Sequence, residues 1–278
     1  MKVGALFKVV KRAIKFILSI GFWAFYASFN RIRKLLKWRG CGTCVVICYH
    51  EVDAQKRQKF SKQLDVLEHL SKFVSINELG KLRNCSHNVA ITFDDGFMSV
   101  MENAIPELVK RKIPSTLFIP CGYLGKYPGW MQTNQNSSKK IINEDQLKSL
   151  DQKLVSIGSH GVSHQNLTLM NEEMAERELV ESKRILEKIL GYPIIYFAFP
   201  YGRYNQNVIN YSKKAGYKRI FSIWPEMAMM GSDEYLIGRV DVSTEDWPFE
   251  FMLKSLGAYR WLATVYELKR KLYNYLKI

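Results

Sequence analysis

The sequence predicts an α/β protein built on a parallel sheet, and three observations carry that prediction. Short apolar runs of strand length alternate with amphipathic stretches of helical spacing along most of the chain. No internal repeat or low-complexity linker interrupts the alternation, which implies one sheet with its connections outside. The residues with the most chemistry stand just beyond the ends of the apolar runs, where α/β barrels carry their sites. About seven strands in roughly 230 residues fit a barrel or an open sheet, and periodicity does not choose between them.

Residues 1–40 come first as a basic, apolar segment with ten Lys and Arg and no acid. Within it, Phe16 to Asn30 is an uncharged run of 15 residues rich in Phe, Trp and Tyr. As a helix it would be about 22 Å long, short of the roughly 30 Å hydrocarbon core of a bilayer. Basic residues flank it on both sides, so the positive-inside bias selects no orientation. Lys15 abuts the run and no small-x-small cleavage site follows, which argues against a signal peptide. The segment reads as a helix in the membrane interface, aromatic face down and basic residues toward anionic headgroups. A spanning anchor and an ordinary docking helix are the alternatives.

Residues 41–257 read as the main folded body. Cys44 to Tyr49 is an apolar strand ending at His50. Lys59 to Phe73 repeats apolar residues at three and four spacing, an amphipathic helix with His69 at its surface. His87 falls in a polar loop, and Val89 to Phe93 is the next strand. A helix to about Lys112 leads to a strand at 115–119, then to a polar, turn-rich stretch from Tyr123 to Lys140. A loop that long in a compact domain is functional or mobile. Strand 154–158 follows, and Asn171 then caps a helix stopped by Gly191 and Pro193. Strand 194–199, helix 205–215, strand 217–223 and a strand near 236–242 complete the body. Residues 258–278 form a basic amphipathic helix, with aromatics and leucines at helical spacing.

The net charge of +15 suggests nucleic acid until it is divided along the chain. Ten of those charges lie in residues 1–40 and four in 258–278, which leaves +1 for residues 41–257. The body is nearly neutral and carries no nucleic-acid motif, so nucleic acid is not an expected partner. Five cysteines, an odd number with Cys44 and Cys48 in an apolar strand, fit a reducing compartment. Cys41-Gly42-Thr43-Cys44 has no second CxxC and no neighbouring His, so a zinc ribbon is not expected.

Two motifs carry the chemistry. Thr92-Phe93-Asp94-Asp95-Gly96 ends one strand, and Ser159-His160-Gly161-Val162-Ser163-His164 ends another about 65 residues later. Adjacent residues on an extended chain point opposite ways, so one carboxylate can face a metal and the other an attacking water. Gly96 lets the chain turn sharply beneath them. Two imidazoles and one carboxylate leave coordination positions open, as catalytic Zn²⁺ and related sites require.

With these motifs the chain resembles a NodB-type polysaccharide deacetylase (carbohydrate esterase family 4) over about residues 44–245. Phe197-Ala198-Phe199-Pro200-Tyr201-Gly202 resembles that family's third motif. The resemblance implies a distorted (β/α) barrel of about seven parallel strands. It implies Asp94 as general base, with Asp95, His160 and His164 holding a divalent metal, Zn²⁺ first and Co²⁺ or Ni²⁺ as alternatives. It also implies that the backbone N–H of Tyr201 stabilises the oxyanion. The chain departs from the family pattern at two places. Phe197 stands where many members have an Arg, and Arg239 is the expected replacement, oriented by Asp241 or Asp246. No histidine follows His164, so His50 is the expected leaving-group acid or substrate contact. The expected activity is metal-dependent removal of N-acetyl groups from an amino sugar in a polysaccharide or lipid-linked glycan. Deformylation of a lipid-linked formamido sugar and a silent glycan-binding barrel are the alternatives. The basic ends imply an anionic membrane surface as partner, on the cytoplasmic face of the inner membrane.

Overall fold

The computed structural model describes residues 3–35, 43–80, 86–131, 139–229 and 234–276. The Cys41-Gly42 half of the CxxC and residues 83–85 and 134–138 of the polar loops lie outside the described residues.

Runs of β-branched and aromatic residues give the strands. They are β1 (Thr43–Tyr49), β2 (Lys72–Phe73), β3 (His87–Phe93), β4 (Ser115–Ile119) and β5 (Val155–Ser159). Shorter strands follow: β6 (Tyr196–Ala198), β7 (Arg219–Phe221), β8 (Ala228–Met229), β9 (Leu236–Ile237) and β10 (Val240–Asp241). The sheet runs β10-β1-β3-β4-β5-β6-β7-β9, eight strands rather than about seven, with β2 beside β3 and β8 beside β1. Every pair along that path is parallel.

The predicted strand at 236–242 is in fact two, and the break explains how the sheet closes. β9 and β10 lie at opposite ends of the path, yet only Gly238 and Arg239 separate them in the chain. The chain therefore steps across the seam of a curled sheet, a distorted (β/α) barrel. A Cβ at position 238 would stand 2.4 Å from the Trp224 carbonyl oxygen, so only glycine allows the step.

Strand periodicity sorts side chains to the two faces. Val45, Ile47, Tyr49, Val89, Ile91 and Phe93 face outward and share a core with Phe60, Leu64 and Leu67 of α2 (Arg57–Leu70). The same outer core takes Ile105 and Leu108 of α3 (Ile105–Lys110) and Leu147 of α4 (Glu144–Lys148). It also takes Leu179 of α5 (Glu172–Leu190) and Val208 of α6 (Gln206–Lys214). The alternate residues Cys44, Val46, Ala90, Phe118, Tyr196, Ala198 and Phe221 form a separate inner cluster. His87 opens β3 rather than lying in a loop, and it is satisfied there. Its Nε2 donates to the Ser255 carbonyl at 2.8 Å, and Thr43 Oγ1 lies 3.0 Å from its Nδ1.

The two basic ends meet. The N-terminal helix (Val3–Leu35) is α1, and the C-terminal pair is α7 (Pro248–Ser255) and α8 (Trp261–Leu276). Phe16, Ile20 and Trp23 pack against Leu253, Ala258, Tyr259 and Leu262. Trp261 Nε1 donates to the buried Ser19 hydroxyl at 2.9 Å, and Arg12 Nε donates to Glu250 at 2.8 Å. The opposite face of α1 leaves Leu6, Phe7, Val10, Ile14, Ile17 and Phe25 exposed. Among the described residues, no helix is long and apolar enough to cross a membrane.

Candidate active site

The inner face of β3 reads Ala90, Thr92 and then Asp94, whose N–H donates to the Tyr49 carbonyl at 2.9 Å and prolongs the strand pairing. That parity sends Asp94 into the barrel mouth, where it is buried. Arg239, projecting from the seam, meets it with two parallel bonds, Nη1 to Oδ1 and Nη2 to Oδ2, each 2.7 Å. Arg239 is fully buried over the Phe118 ring, 5.1 Å from its centroid. Its orientation is set by the Ser222 carbonyl at 3.1 Å and Thr92 Oγ1 at 3.2 Å. The expected orienters do other things: Asp246 accepts both bonds from Lys254 at 2.8 Å, and Asp241 lies 3.6 Å from His50. Burial, the largest single influence, would raise the Asp94 pKa, but the Arg239 charge and hydrogen bonds together with His160 and His50 outweigh it and hold the carboxyl well below the usual range.

Asp95 is not extended, as the sequence reading assumed. Its φ is 69°, so the turn begins one residue before Gly96 and swings the carboxylate toward the histidines. Asp95 Oδ1 lies 3.0 Å from His164 Nε2 and 3.6 Å from His160 Nε2. Gly96 continues the turn at φ 65°, and a Cβ there would meet Ile119 at 2.5 Å.

His160 follows β5 on the inward parity of Gly158, which makes room for the Phe118 ring: a Cβ at 158 would stand 2.5 Å from it. His160 Nδ1 donates to the Ala198 carbonyl at 2.7 Å, which leaves Nε2 as the lone pair facing Asp95. Burial lowers the His160 pKa to about 4, so the ring is neutral near pH 7. The loop to His164 is tied down by Glu178 of α5. Its Oε2 accepts the Val162 and Ser163 N–H groups at 2.8 and 3.1 Å, and its Oε1 accepts the Ser163 hydroxyl at 2.6 Å. His164 has a φ of 54°, and the Trp130 ring stacks on it at 3.8 Å.

Tyr201 sits after β6 with a φ of 58°, its ring half exposed and 5.0 Å from that of His164. Four described non-glycine residues have positive φ, and three of them (Asp95, His164 and Tyr201) converge here. Such strain persists only where surrounding contacts enforce it, and it concentrates at functional sites. His50 stands exposed at the rim, one ring nitrogen within 4.8 Å of an Asp94 oxygen. Asp94, Asp95, His160, His164, Tyr201 and His50 line one pocket of about 240 Å³ with Trp130, Gly202, Ile223 and Asp241.

The ligand atoms of Asp95, His160 and His164 lie within 4.8 Å of one another. Asp95 Oδ1, which faces both imidazoles, is buried without a hydrogen-bond partner among the described residues. Orphaned polar atoms of this kind cost stability unless something fills the site, and two neutral imidazoles beside one carboxylate suit a divalent cation. Cys48, His50 and Asp94 also cluster, but burial raises the Cys48 thiol well above its ordinary pKa and Asp94 is committed to Arg239.

Comparison with known proteins identifies the family. The polysaccharide deacetylase family profile matches residues 81–220, half of the chain. The chain belongs to the polysaccharide deacetylase family. The chain is 29% identical over 155 residues to the putative polysaccharide deacetylase YxkH of Bacillus subtilis (strain 168), covering 56% of its own length and 51% of that relative's. It thus spans about half of that protein. It is also 29% identical over 206 residues to the poly-beta-1,6-N-acetyl-D-glucosamine N-deacetylase of Staphylococcus aureus (strain MRSA252), covering 71% and 70% of the two chains. Among solved structures, IcaB from Ammonifex degensii matches with a TM-score of 0.67 and 26% identity, over 80% of this chain and 98% of that one.

Trp130 and Glu178 are the residues of this site that sequence reasoning missed. The length of the 123–140 loop did mark its region as functional, but nothing pairs Trp130 with His164 before the chain folds. Glu178 is one of several acids on α5, distinguished only by the loop above it.

Proposed function

We propose that this polysaccharide deacetylase is a metal-dependent hydrolase that removes N-acetyl groups from an amino sugar in a polysaccharide or lipid-linked glycan at a membrane surface. The observation that carries this reading is the pairing, in one pocket, of a buried ionised carboxylate with an orphaned carboxylate–bis-imidazole cluster. Asp95, His160 and His164 would hold the divalent cation, with Zn²⁺ the first choice for such donors. When bound, that ion polarises a carbonyl and acidifies water.

The remaining roles fall to the chain itself. Asp94 accepts the proton of the attacking water, while Arg239 keeps its carboxylate ionised and fixes its direction. The left-handed turn at Tyr201 presents a backbone N–H to the oxyanion that develops on the amide carbonyl. His50, with Asp241 3.6 Å away to orient it, delivers a proton to the leaving nitrogen from the rim. The C–N bond breaks, and acetate and a free amino sugar leave. The exposed apolar face of α1 supports residence in a membrane interface, with Lys8, Lys11 and Lys15 beside it.

The test measures acetate and formate released from N-acetylglucosamine oligomers and from a membrane glycolipid extract, with added Zn²⁺ and an Asp94→Asn control. Acetate release that the control abolishes supports the reading. Formate instead of acetate, or no release despite bound metal, would overturn it.

A further inference from the structure

A second and larger depression, which the steps above do not use, adjoins the catalytic pocket. It is a groove of about 360 Å³ walled by α1, α8 and the stretch around Ile223 and Pro225. Ile223 and Asp241 line both the groove and the catalytic pocket, so a ligand can pass from one into the other without leaving the protein surface.

The groove is cationic in an uneven way. Arg12 and Lys254 line it, but Arg12 is held by Glu250 and Lys254 by Asp246. Lys8, Lys11 and Lys15 also line it, and no described acid lies within ion-pairing distance of any of them. Lys15 Nζ donates to the Tyr266 hydroxyl at 3.4 Å. Spaced three and four apart, the three lysines share one flank of α1. At 100° per residue that flank lies between the docked face of Phe16, Ser19 and Trp23 and the outward apolar face of Val10, Ile14 and Ile17. Folding has brought three like charges to one groove without an ion-pair partner among the described residues; of the two carboxylates in its lining, Glu250 is taken by Arg12 and Asp241 lies 3.6 Å from His50.

We propose that this groove is a phosphate subsite, and that the substrate carries a phosphate or diphosphate next to the acetamido sugar, held by Lys8, Lys11 and Lys15. The inference rests on the deacetylase reading and narrows its substrate class. The chemistry matches the layout. In a 2-acetamido sugar the anomeric carbon adjoins the carbon that bears the amide. With the amide in the catalytic pocket, an anomeric phosphate leaves through the neighbouring wall, where the lysines wait. Three mobile ammonium groups suit a multiply charged phosphate, which they meet as point charges. The next helix face is apolar and exposed, which suits a hydrocarbon chain attached to that phosphate.

The test compares kcat/KM of the full chain, with added Zn²⁺, on three probes. They are methyl N-acetylglucosaminide, N-acetylglucosamine 1-phosphate and an isoprenyl-diphosphate-linked N-acetylglucosamine in detergent micelles. The expected result is a preference of about tenfold or more for the phosphorylated probes. That preference should vanish in Lys8→Gln/Lys11→Gln/Lys15→Gln and persist in Lys72→Gln/Lys110→Gln/Lys153→Gln, which removes equal charge elsewhere. A further gain with the isoprenyl probe assigns the phosphate to a glycolipid, and equal rates on the two phosphorylated probes assign it to a soluble sugar phosphate. Calorimetric binding of N-acetylglucosamine 1-phosphate to Asp94→Asn protein should weaken about tenfold when the three lysines are replaced. No preference for phosphate, or a preference the lysine variant keeps, would overturn the subsite and leave the deacetylase standing. No turnover of any probe would overturn the deacetylase reading beneath it.

Discussion

Replacing Arg239 by Met would keep most of the side-chain volume and delete the charge, stranding Asp94 with its side chain only 3% exposed. Removing one partner of a buried pair costs about 3–5 kcal/mol, because the other charge stays buried without compensation. At roughly 2–4 °C per kcal/mol for a chain of this size class, Tm should fall by about 6–20 °C. The pH dependence should change as well. In the native protein the Asp94 pKa is depressed, so its stabilising contribution is complete above about pH 4 and is lost only as pH falls through the depressed value. Without Arg239, burial dominates and the folded pKa rises above the unfolded one. The protonated form is then favoured on folding, and stability drops as pH climbs through the raised value. Thermal melts of metal-free protein at about pH 5 and about pH 8 separate the two cases. Arg239→Met should show the larger deficit at the higher pH, and Asp94→Asn/Arg239→Met should recover much of it. A variant that melts with the native protein at both pH values, or a double variant no better than the single, would refute the reasoning.

Other expectations follow from the same geometry. Asp95→Ala should abolish tight Zn²⁺ binding measured by competition with a chelating dye, whereas Asp94→Asn should bind Zn²⁺ and lose at least about a hundredfold in kcat. Glu178→Ala frees the loop that carries His164 and should weaken Zn²⁺ by about 10–100-fold with little change in circular dichroism. Trp130→Ala removes a stacked partner of His164 and part of the pocket wall; KM should rise more than kcat falls, by about 2–10-fold, as a ring contact of about 0.5–1.5 kcal/mol implies. Ile14→Glu/Ile17→Glu changes only the outward face of α1 and should cut binding to anionic vesicles by at least about tenfold per site in flotation assays, with Tm unchanged. Unaltered vesicle binding would remove the membrane interface from the proposal.

Much of the fold was legible because strand periodicity is local. The run from Val89 to Phe93 announces a strand, and its period of two puts residue 94 on the same face as Ala90 and Thr92. The helix after Asn171 declares its cap, its length and its stop at Gly191, and the structure keeps all three. The division at 236–242 was not legible, since a two-residue step across a seam looks like one continuous strand until both partner strands are known. The terminal segments admit two uses that composition does not separate. Their aromatic and basic composition suits a bilayer surface, and it suits equally the α1–α7–α8 packing in which Phe16 and Trp23 are used.

By itself the sequence determined which side chains were available for chemistry, on which strand ends they stood, and that the charge lay at the two termini. Those follow from residue identity and from periods of two and 3.6, which are properties of a few consecutive residues. Only the tertiary structure decided that Arg239, 145 residues beyond Asp94, closes a bidentate pair with it. It alone set the left-handed turns at Asp95 and His164, the stack of Trp130, and the groove shared by α1 and the catalytic pocket. Each of these depends on closing the barrel, which brings together groups that no local rule relates, and burial then sets their charge states.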